Sequence, residues 1–328
     1  MGRSIFNHLK DPLIGTLVQQ QYQVVRRIGS GAVVDVYLAQ QRTVGGRRVA
    51  LRILKPALAE RDSEGGGAHR KRFLHEVQLA SLLKGPAFAR IMDCGLTGPG
   101  PKRPFVIQEL LDGPLLSERV ADAPLSWRGG VALVLQLCAA AEEMHAYGVL
   151  YRDFSPSNVI IEEQRGIGRV ARLFDFSHVT LEGISFLDSQ DSAEDLAGSP
   201  IFSAPELGLP GEPVGRSVDT FSLGALLYLG CTGRSPVRLT PAGDWGAWTE
   251  WTRGGRPVPE VPFREAAPKA PAALARIVHR ALRVSPSERY QEVPALAADL
   301  RKILGLKGCE GDGPDRFSLG GLMGRLKW

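Results

Sequence analysis

The sequence predicts an α+β fold with two lobes: a small lobe built on an antiparallel sheet with one main helix, and a larger helical lobe. Two observations predict this division. Before Asp112-Gly113 the chain holds short runs of β-branched and alternating apolar residues, and after it long stretches with helical periodicity. The 328 residues are 44% hydrophobic, which is enough apolar surface for a sizeable core.

The predicted elements follow in chain order. Strand-like runs are V-V-R-R-I, D-V-Y-L-A and R-R-V-A-L-R-I-L at 24–28, 35–39 and 47–54, then a helix at 70–83 and an extended run at 105–107. Helices are predicted at 131–145, 219–231, 272–283 and 293–304. The expected boundaries are a lead-in over 1–21, the small lobe over 22–111, the helical lobe over 112–304 and a Gly-rich tail over 305–328.

Composition excludes several classes of protein. The net charge is +5, but the basic residues are scattered, so we expect no nucleic-acid partner. The four cysteines form no C-x-x-C pair, so neither a zinc site nor a disulfide framework is indicated. No apolar run reaches the roughly 20 residues needed to cross a bilayer. We therefore expect a cytoplasmic protein without a membrane span.

A glycine-containing segment is the first candidate for binding chemistry. In I-G-S-G-A-V-V-D-V-Y-L-A, Gly29 and Gly31 would let backbone amides approach a phosphate closely. A dinucleotide-binding loop would open into a helix, whereas here alternating residues continue, so the segment is predicted to join two antiparallel strands. By itself it fits an ordinary hairpin turn equally well.

Further motifs follow this segment in a fixed order. They are V-A-L-R at 49–52, Glu76 on a predicted helix, Y-R-D-F-S-P-S-N at 151–158, F-D-F-S at 174–177, A-P-E at 204–206, D-T-F-S-L-G at 219–224 and S-E-R-Y at 287–290. With these motifs the chain resembles the serine/threonine protein kinases of the bacterial Hanks type, from about residue 22 to residue 304. The alternative is an unrelated α+β domain.

The resemblance implies a catalytic site that uses ATP and magnesium. Asp153 matches the base that accepts the proton of the substrate hydroxyl, and Asn158 and Asp175 match the magnesium ligands. Arg152 matches the arginine that pairs with a phosphorylated activation loop. In this chain that loop carries four acidic residues, and either one of them takes the place of the phosphate or all are simply solvated: Asp188, Asp191, Glu194 and Asp195.

The resemblance also implies a nucleotide site. Arg52 stands at the position of the strand cation that contacts the α- and β-phosphates, and Glu76 matches its helix partner. Residues matching those around the phosphates and adenine, with the hinge at 108–111, are Ile28, Gly29, Gly31, Val36, Ala50, Glu109, Leu111 and Ile160. The apolar members are equally compatible with ordinary core packing. Ser199 matches a residue typical of Ser/Thr acceptors, and Glu206 and Arg289 match a buried ion pair.

The chain departs from the family pattern at several positions. Arg52 replaces a lysine and is planar and longer, and Lys55 is predicted to face the opposite side of the strand. Ser155 replaces the lysine that contacts the transferred phosphoryl group. Val34 replaces the third glycine and is expected to hinder close approach to a phosphate. Tyr151 and Ser177 replace a histidine and a glycine and are expected to be mild changes.

Three functions remain open from the sequence. One is an attenuated serine/threonine protein kinase that transfers the ATP γ-phosphate to an unidentified protein substrate. Another is a pseudokinase that binds nucleotide or a partner, and the third is a small-molecule phosphotransferase, which A-P-E and Arg289 argue against. Outside these motifs, Trp245, Trp248 and Trp251 form a predicted helical stripe, which we expect to pack in its own lobe rather than form a docking surface.

Overall fold

The computed structural model describes residues 11–65, 67–97, 102–183, 199–209, 214–239 and 244–306. The chain divides into two compact units, Met1–Lys84 with Ala89–Leu111, and Gly85–Phe88 with Asp112–Trp328. The first unit is built on a sheet and the second mainly on helices. The predicted α+β class is confirmed.

The first unit contains a six-stranded antiparallel sheet with the order β1-β2-β3-β4-β6-β5. Its elements are β1 (Leu17–Val18), β2 (Tyr22–Ser30), β3 (Val34–Gln41), β4 (Arg47–Leu54), α1 (Pro56–Gly65), α2 (Ala68–Ser81), β5 (Ile91–Thr97) and β6 (Arg103–Glu109). Ser30 of β2 pairs with Asp35 of β3. The prediction that the glycine segment joins two antiparallel strands is therefore confirmed.

The two faces of this sheet have different roles. Because side chains alternate along a strand, one face carries Tyr37, Leu51 and Phe105 and belongs to a buried apolar cluster. Leu13 and Ile14, which precede β1, pack against that cluster. The opposite face carries the residues that the motifs single out.

The second unit contains seven helices and two small β-pairs among its described residues. They are α3 (Leu116–Asp122), α4 (Trp127–Ala146), β7 (Val149–Leu150), β8 (Val159–Gln164), β9 (Gly168–Leu173), β10 (Thr180–Leu181), α5 (Ser217–Thr232), α6 (Trp245–Arg253), α7 (Phe263–Ala266), α8 (Ala272–Ala281) and α9 (Val293–Ile303). Strand β7 pairs with β10, and β8 pairs with β9.

Helices α4 and α5 form the centre of the second unit. Nearly every residue of α5 is buried, as expected for a helix that is apolar on all sides. Close packing depends on Gly224, where an added Cβ would lie 2.5 Å from the Cβ of Ala281 on α8. No helix in the described part of the chain is long and apolar enough to cross a membrane.

The predicted ion pair of the helical unit is present. Arg289 donates from Nη1 and Nη2 to the two carboxylate oxygens of Glu206, each at 2.7 Å, and its side chain is fully buried. The guanidinium also donates to the carbonyls of Arg283 and Val284 and lies over the ring of Phe221. The donors of this buried cation therefore meet several acceptors, as burial of a charge requires.

Some elements were not predicted, or were predicted with other bounds. Helix α1 was missed because its charged sequence lacks a clear apolar periodicity, and α2 begins at Ala68 rather than at Arg70. Asp62 explains that earlier start, since its carboxylate accepts from the main-chain N–H groups of His69 and Arg70. Residues 98–101, the acidic activation-loop residues and the tail from 307 lie outside the described residues.

Candidate active site

The nucleotide-site candidates of the first unit share one face of its sheet. Val36 of β3 pairs with Arg52 of β4, and Leu38 pairs with Ala50, so their side chains point to the same side. Gly29 of β2 pairs with Val36 and belongs to this row. The register thus brings together residues that are separated in the sequence, such as Val36 and Arg52, which are 16 positions apart.

Neither glycine of the phosphate-loop candidate is needed for its backbone conformation. Gly29 and Gly31 are absent from the residues with positive φ, and a Cβ added at either position would meet only ordinary contacts. The Gly31 N–H donates to the Val34 carbonyl at 2.8 Å and closes the turn. The lack of side chains here therefore agrees with close approach of a ligand to the backbone.

Val34 has a structural role that the sequence did not reveal. Its side chain is 6% exposed and packs in a cluster with Phe73 of α2 and Val106 of β6. A glycine at this position would leave a gap in that cluster. Its expected effect on phosphate approach stays a prediction.

The strand cation and the helix carboxylate also lie in the first unit. Arg52 is 7% exposed. Glu76 of α2 accepts a hydrogen bond from the Arg72 Nε of the same helix at 3.3 Å. The expected pairing of Arg52 with Glu76 stays a prediction.

The hinge candidates lie at the end of strand β6 and directly after it. The Glu109 N–H donates to the Arg90 carbonyl at 2.9 Å, and the Glu109 carboxylate accepts from the Arg90 N–H. Leu111 is the last residue of this unit and is partly buried. Ile28 is 39% exposed and lies one residue before Gly29.

In the second unit, the catalytic-loop candidate is held by a buried carboxylate. Asp219 of α5 is fully buried and accepts from the main-chain N–H groups of Tyr151 and Arg152 at 3.0 and 2.8 Å. His145 Nε2 lies 2.7 Å from the same carboxylate. Arg152 has φ of +67°, so the loop turns through a left-handed backbone conformation that these hydrogen bonds stabilise.

Asp153, which follows this turn, is buried with one carboxylate oxygen held in place. Asn158 Nδ2 donates to the main-chain oxygen and to Oδ2 of Asp153. Oδ1 is buried and has no hydrogen-bond partner among the described residues. His178 Nε2 lies 4.0 Å from Oδ2. The carboxylate is therefore oriented, and one oxygen is available for a further donor.

The surroundings of Asp153 make it an unusually weak acid. Burial is the main cause that raises its pKa to about 7, and the negative charge of Asp175 acts in the same direction. The Asn158 hydrogen bond, the nearby Ser199 main-chain N–H and the charge of Arg152 lower the pKa but do not outweigh burial. A base with a pKa near 7 is suited to proton transfer at neutral pH.

The magnesium-ligand candidates lie on either side of the β8–β9 hairpin. Because the Asn158 Nδ2 is held by Asp153, its Oδ1 is directed away from that carboxylate. Asp175 follows β9, and its Oδ1 accepts from the N–H and hydroxyl of Ser177 at 3.0 and 2.6 Å. One amide oxygen and one carboxylate are hard oxygen ligands that fit Mg²⁺.

The described residues contain no cluster of three or more His, Cys, Asp or Glu side chains that would form a dedicated metal cage. Mg²⁺ is commonly held by one or two protein oxygens together with substrate phosphates. The expected magnesium ligands Asn158 and Asp175 stay a prediction.

Ser155 carries no positive charge and is tied to a neighbour. Its side chain is nearly fully buried, and its hydroxyl lies 2.9 Å from the hydroxyl of Ser157. Ile160, the candidate for the adenine floor, lies in β8 and is partly exposed.

Aromatic residues connect the catalytic loop to Asp175. The Tyr151 ring packs on Phe154 with centroids 4.5 Å apart and contacts Phe176 edge-on. The Tyr151 hydroxyl donates to the main-chain oxygen of Asp175 at 2.6 Å. Phe88 contacts Phe176 from the other side. Tyr151 is therefore a polar contact as well as a packing residue.

Sequence reasoning missed the roles of His145, Asp219 and His178. The signal for Asp219 was present, because a lone carboxylate near the start of the apolar helix Ser217–Thr232 calls for a buried donor. No comparable signal existed for His178, since its distance to Asp153 depends on the fold.

The fold and the site define a protein kinase, and comparison with known proteins agrees. The family described as protein kinase domain matches residues 22–297, so the chain belongs to the protein kinase family. The crystal structure of the Mycobacterium tuberculosis PknI kinase domain is 26% identical, with a TM-score of 0.64 over 89% of this chain and 98% of that one. The predicted two-lobed kinase fold is confirmed.

Named relatives are bacterial serine/threonine-protein kinases. Pkn1 of Myxococcus xanthus is 31% identical over 90% of this chain and 40% of its own length. The DNA damage-responsive kinase RqkA of Deinococcus radiodurans is 30% identical over 86% of this chain and 39% of its own length. The chain thus spans less than half of these two relatives, and the resemblance to the bacterial Hanks-type family is confirmed.

Proposed function

We propose that this chain is an ATP-dependent serine/threonine protein kinase of attenuated activity. The observation that carries the proposal is the state of Asp153, which is buried and oriented by Asn158 and whose Oδ1 has no partner in the described part of the chain. A substrate hydroxyl is a suitable donor for that oxygen. The hydroxyl oxygen attacks the γ-phosphorus, the bond to the β-phosphate oxygen breaks, and Asp153 accepts the proton.

The other candidates support this reaction by position. Asn158 and Asp175 would hold Mg²⁺, which shields the charge of the β- and γ-phosphates. Gly29 and Gly31 would leave room for phosphates against the backbone, and Val36 and Ala50 present an apolar surface for adenine. We assign roles in nucleotide binding to Ile28, Arg52, Glu76, Glu109 and Leu111 of the first unit and to Ile160 of the second.

Attenuation follows from the missing cation at residue 155. A lysine there would stabilise the transferred phosphoryl group, whereas Ser155 is neutral and hydrogen-bonded to Ser157. Loss of a transition-state donor typically costs about 2.7–4 kcal/mol, which is a hundred- to a thousand-fold in rate. The same observation favours a second candidate function, a pseudokinase that binds nucleotide or a partner without turnover.

A transfer assay separates these two functions. Purified protein, radiolabelled ATP, Mg²⁺ and a generic basic protein substrate are incubated at pH 8, above the pKa of about 7 of Asp153. We expect slow incorporation that falls by about a hundredfold or more in Asp153→Asn, since a general base contributes about 10²–10⁴-fold. Incorporation equal in the wild type and Asp153→Asn would contradict kinase activity and support the pseudokinase.

A further inference from the structure

We propose that Ser177 is a positioning residue for the metal ligand Asp175, a role that a glycine at this position does not perform. The inference rests on the proposed binding of Mg²⁺ with ATP. It concerns the direction in which one oxygen of Asp175 is held, and it predicts that replacing Ser177 by the family's glycine weakens rather than improves magnesium binding.

Ser177 places two hydrogen-bond donors on one oxygen of Asp175. The Ser177 N–H and hydroxyl both donate to Asp175 Oδ1, at 3.0 and 2.6 Å. A glycine keeps the N–H and lacks the hydroxyl. The shorter of the two hydrogen bonds is therefore specific to the serine, and hydrogen bonds to a charged carboxylate are the stronger kind.

The backbone at Asp175 is held by a residue other than Ser177. The Tyr151 hydroxyl donates to the Asp175 main-chain oxygen at 2.6 Å, and Tyr151 is itself fully buried against Phe154. Rotation of the Asp175 side chain then decides where its carboxylate oxygens point. The Ser177 hydroxyl restricts that rotation.

The orientation of a ligating side chain affects its affinity for a metal. Hydrogen bonds to ligating side chains fix their geometry, and removing such a partner typically lowers metal affinity about 10–100-fold. Asn158, the other ligand candidate, is likewise oriented by Asp153. Both proposed ligands are thus held in place by neighbouring groups before a metal arrives.

The test measures ATP affinity by calorimetry with and without Mg²⁺ at pH 8. We expect Ser177→Ala and Ser177→Gly to lose about tenfold or more of the affinity gained on adding Mg²⁺. Affinity for ATP without metal should stay unchanged. Ser177→Thr, which retains a hydroxyl, should restore the gain. A matched control is Ser287→Ala, which removes an exposed hydroxyl whose partner is the Ser285 hydroxyl.

Three outcomes would overturn the proposal, and each has a different meaning. Equal Mg²⁺-dependent gains in the wild type and Ser177→Ala would show that the hydroxyl does not position Asp175. A larger gain in Ser177→Gly would show that the hydroxyl competes with the metal. A wild type whose ATP affinity does not depend on Mg²⁺ would contradict the proposed cofactor and, with it, this inference.

Discussion

Asp153 and Asn158 hold each other through the Asn158 side-chain amide, and Asp175 is held by Tyr151 and Ser177. The carboxylates and the amide that the proposed chemistry needs are therefore all oriented. The positive charges are not as the family has them, since residue 155 is a neutral serine and residue 52 is an arginine. A planar guanidinium does not place its charge between a carboxylate and a phosphate in the way that a compact ammonium does.

Restoring the two cations should raise phosphotransfer. Arg52→Lys places a compact charge on the sheet face that carries Val36 and Ala50, and Ser155→Lys adds an ammonium for the moving phosphoryl group. Each change is expected to increase the rate on the order of ten- to a thousand-fold. The two effects need not add because both act on one substrate. The measurement is the initial rate of radiolabel transfer for the wild type, each single variant and the double variant.

The control for this experiment is the double variant carrying Asp153→Asn, which should abolish any gain. Because Ser155 is nearly fully buried, the melting temperature of each variant is recorded to detect overpacking. If the double variant binds ATP but transfers no more phosphate than its control, the defect lies elsewhere and the pseudokinase becomes the better interpretation.

The three tryptophans of helix α6 differ in how deeply they are buried. Trp248 is fully buried and its ring lies 6.3 Å from that of Phe221 on α5. Trp245 and Trp251 are partly exposed, and Trp251 Nε1 donates to the Pro257 carbonyl. The prediction that the stripe packs in its own lobe is thus confirmed for Trp248, whereas the other two indoles lie at its margin.

Truncating Trp248 should destabilise the protein. Trp248→Ala is expected to lower the free energy of unfolding by about 3–5 kcal/mol, because it leaves a large cavity beside Phe221. Trp245→Ala, on the same helix and partly exposed, should lose clearly less. Both are measured by urea denaturation with the wild type as reference.

Trp248→Phe serves as the intermediate variant. The Trp248 indole N–H is buried without a hydrogen-bond partner in the described residues, so phenylalanine removes an unsatisfied donor while keeping an aromatic ring. Its free energy of unfolding should lie between those of the wild type and Trp248→Ala. Should Trp248→Ala unfold at the same urea concentration as the wild type, the core assignment is wrong.

Each unit of the chain holds its own set of candidate residues. The first unit supplies the sheet face with Gly29, Val36, Ala50 and Arg52, and the second supplies the loop anchored on Asp219. Each set is brought together only when its own unit folds, so a ligand of either set binds the native state. It should therefore raise the stability of the native state by an amount that depends on its concentration.

Millimolar ATP with Mg²⁺ should raise the melting temperature of the protein. The size of the shift follows the ratio of ligand concentration to Kd, and a hundredfold excess over Kd corresponds to about 2.7 kcal/mol. Asp175→Asn should remove the part of the shift that depends on Mg²⁺, since an amide is a poorer ligand than a carboxylate. The absence of any shift for the wild type would contradict nucleotide binding.

The order of the motifs was sufficient to predict the fold class and the candidate residues. Asp153, Asn158 and Asp175 lie in short segments whose residue types carry the chemistry, and strands such as Arg47–Leu54 have a strong local pattern. Alternation along β3 and β4 also placed the candidates on one face once the register was known. These features depend on residues that are close together in the chain, so they can be recognised from the sequence.

Other properties depend on residues that are distant in the chain. The raised pKa of Asp153 results from burial and from Asp175, which lies 22 positions away, and the loop geometry results from Asp219 on another helix. Val34 is a core residue only because Phe73 and Val106 lie against it. Burial, electrostatic fields and hydrogen bonds between separate segments exist only after the chain has folded, which is why the tertiary structure alone decided them.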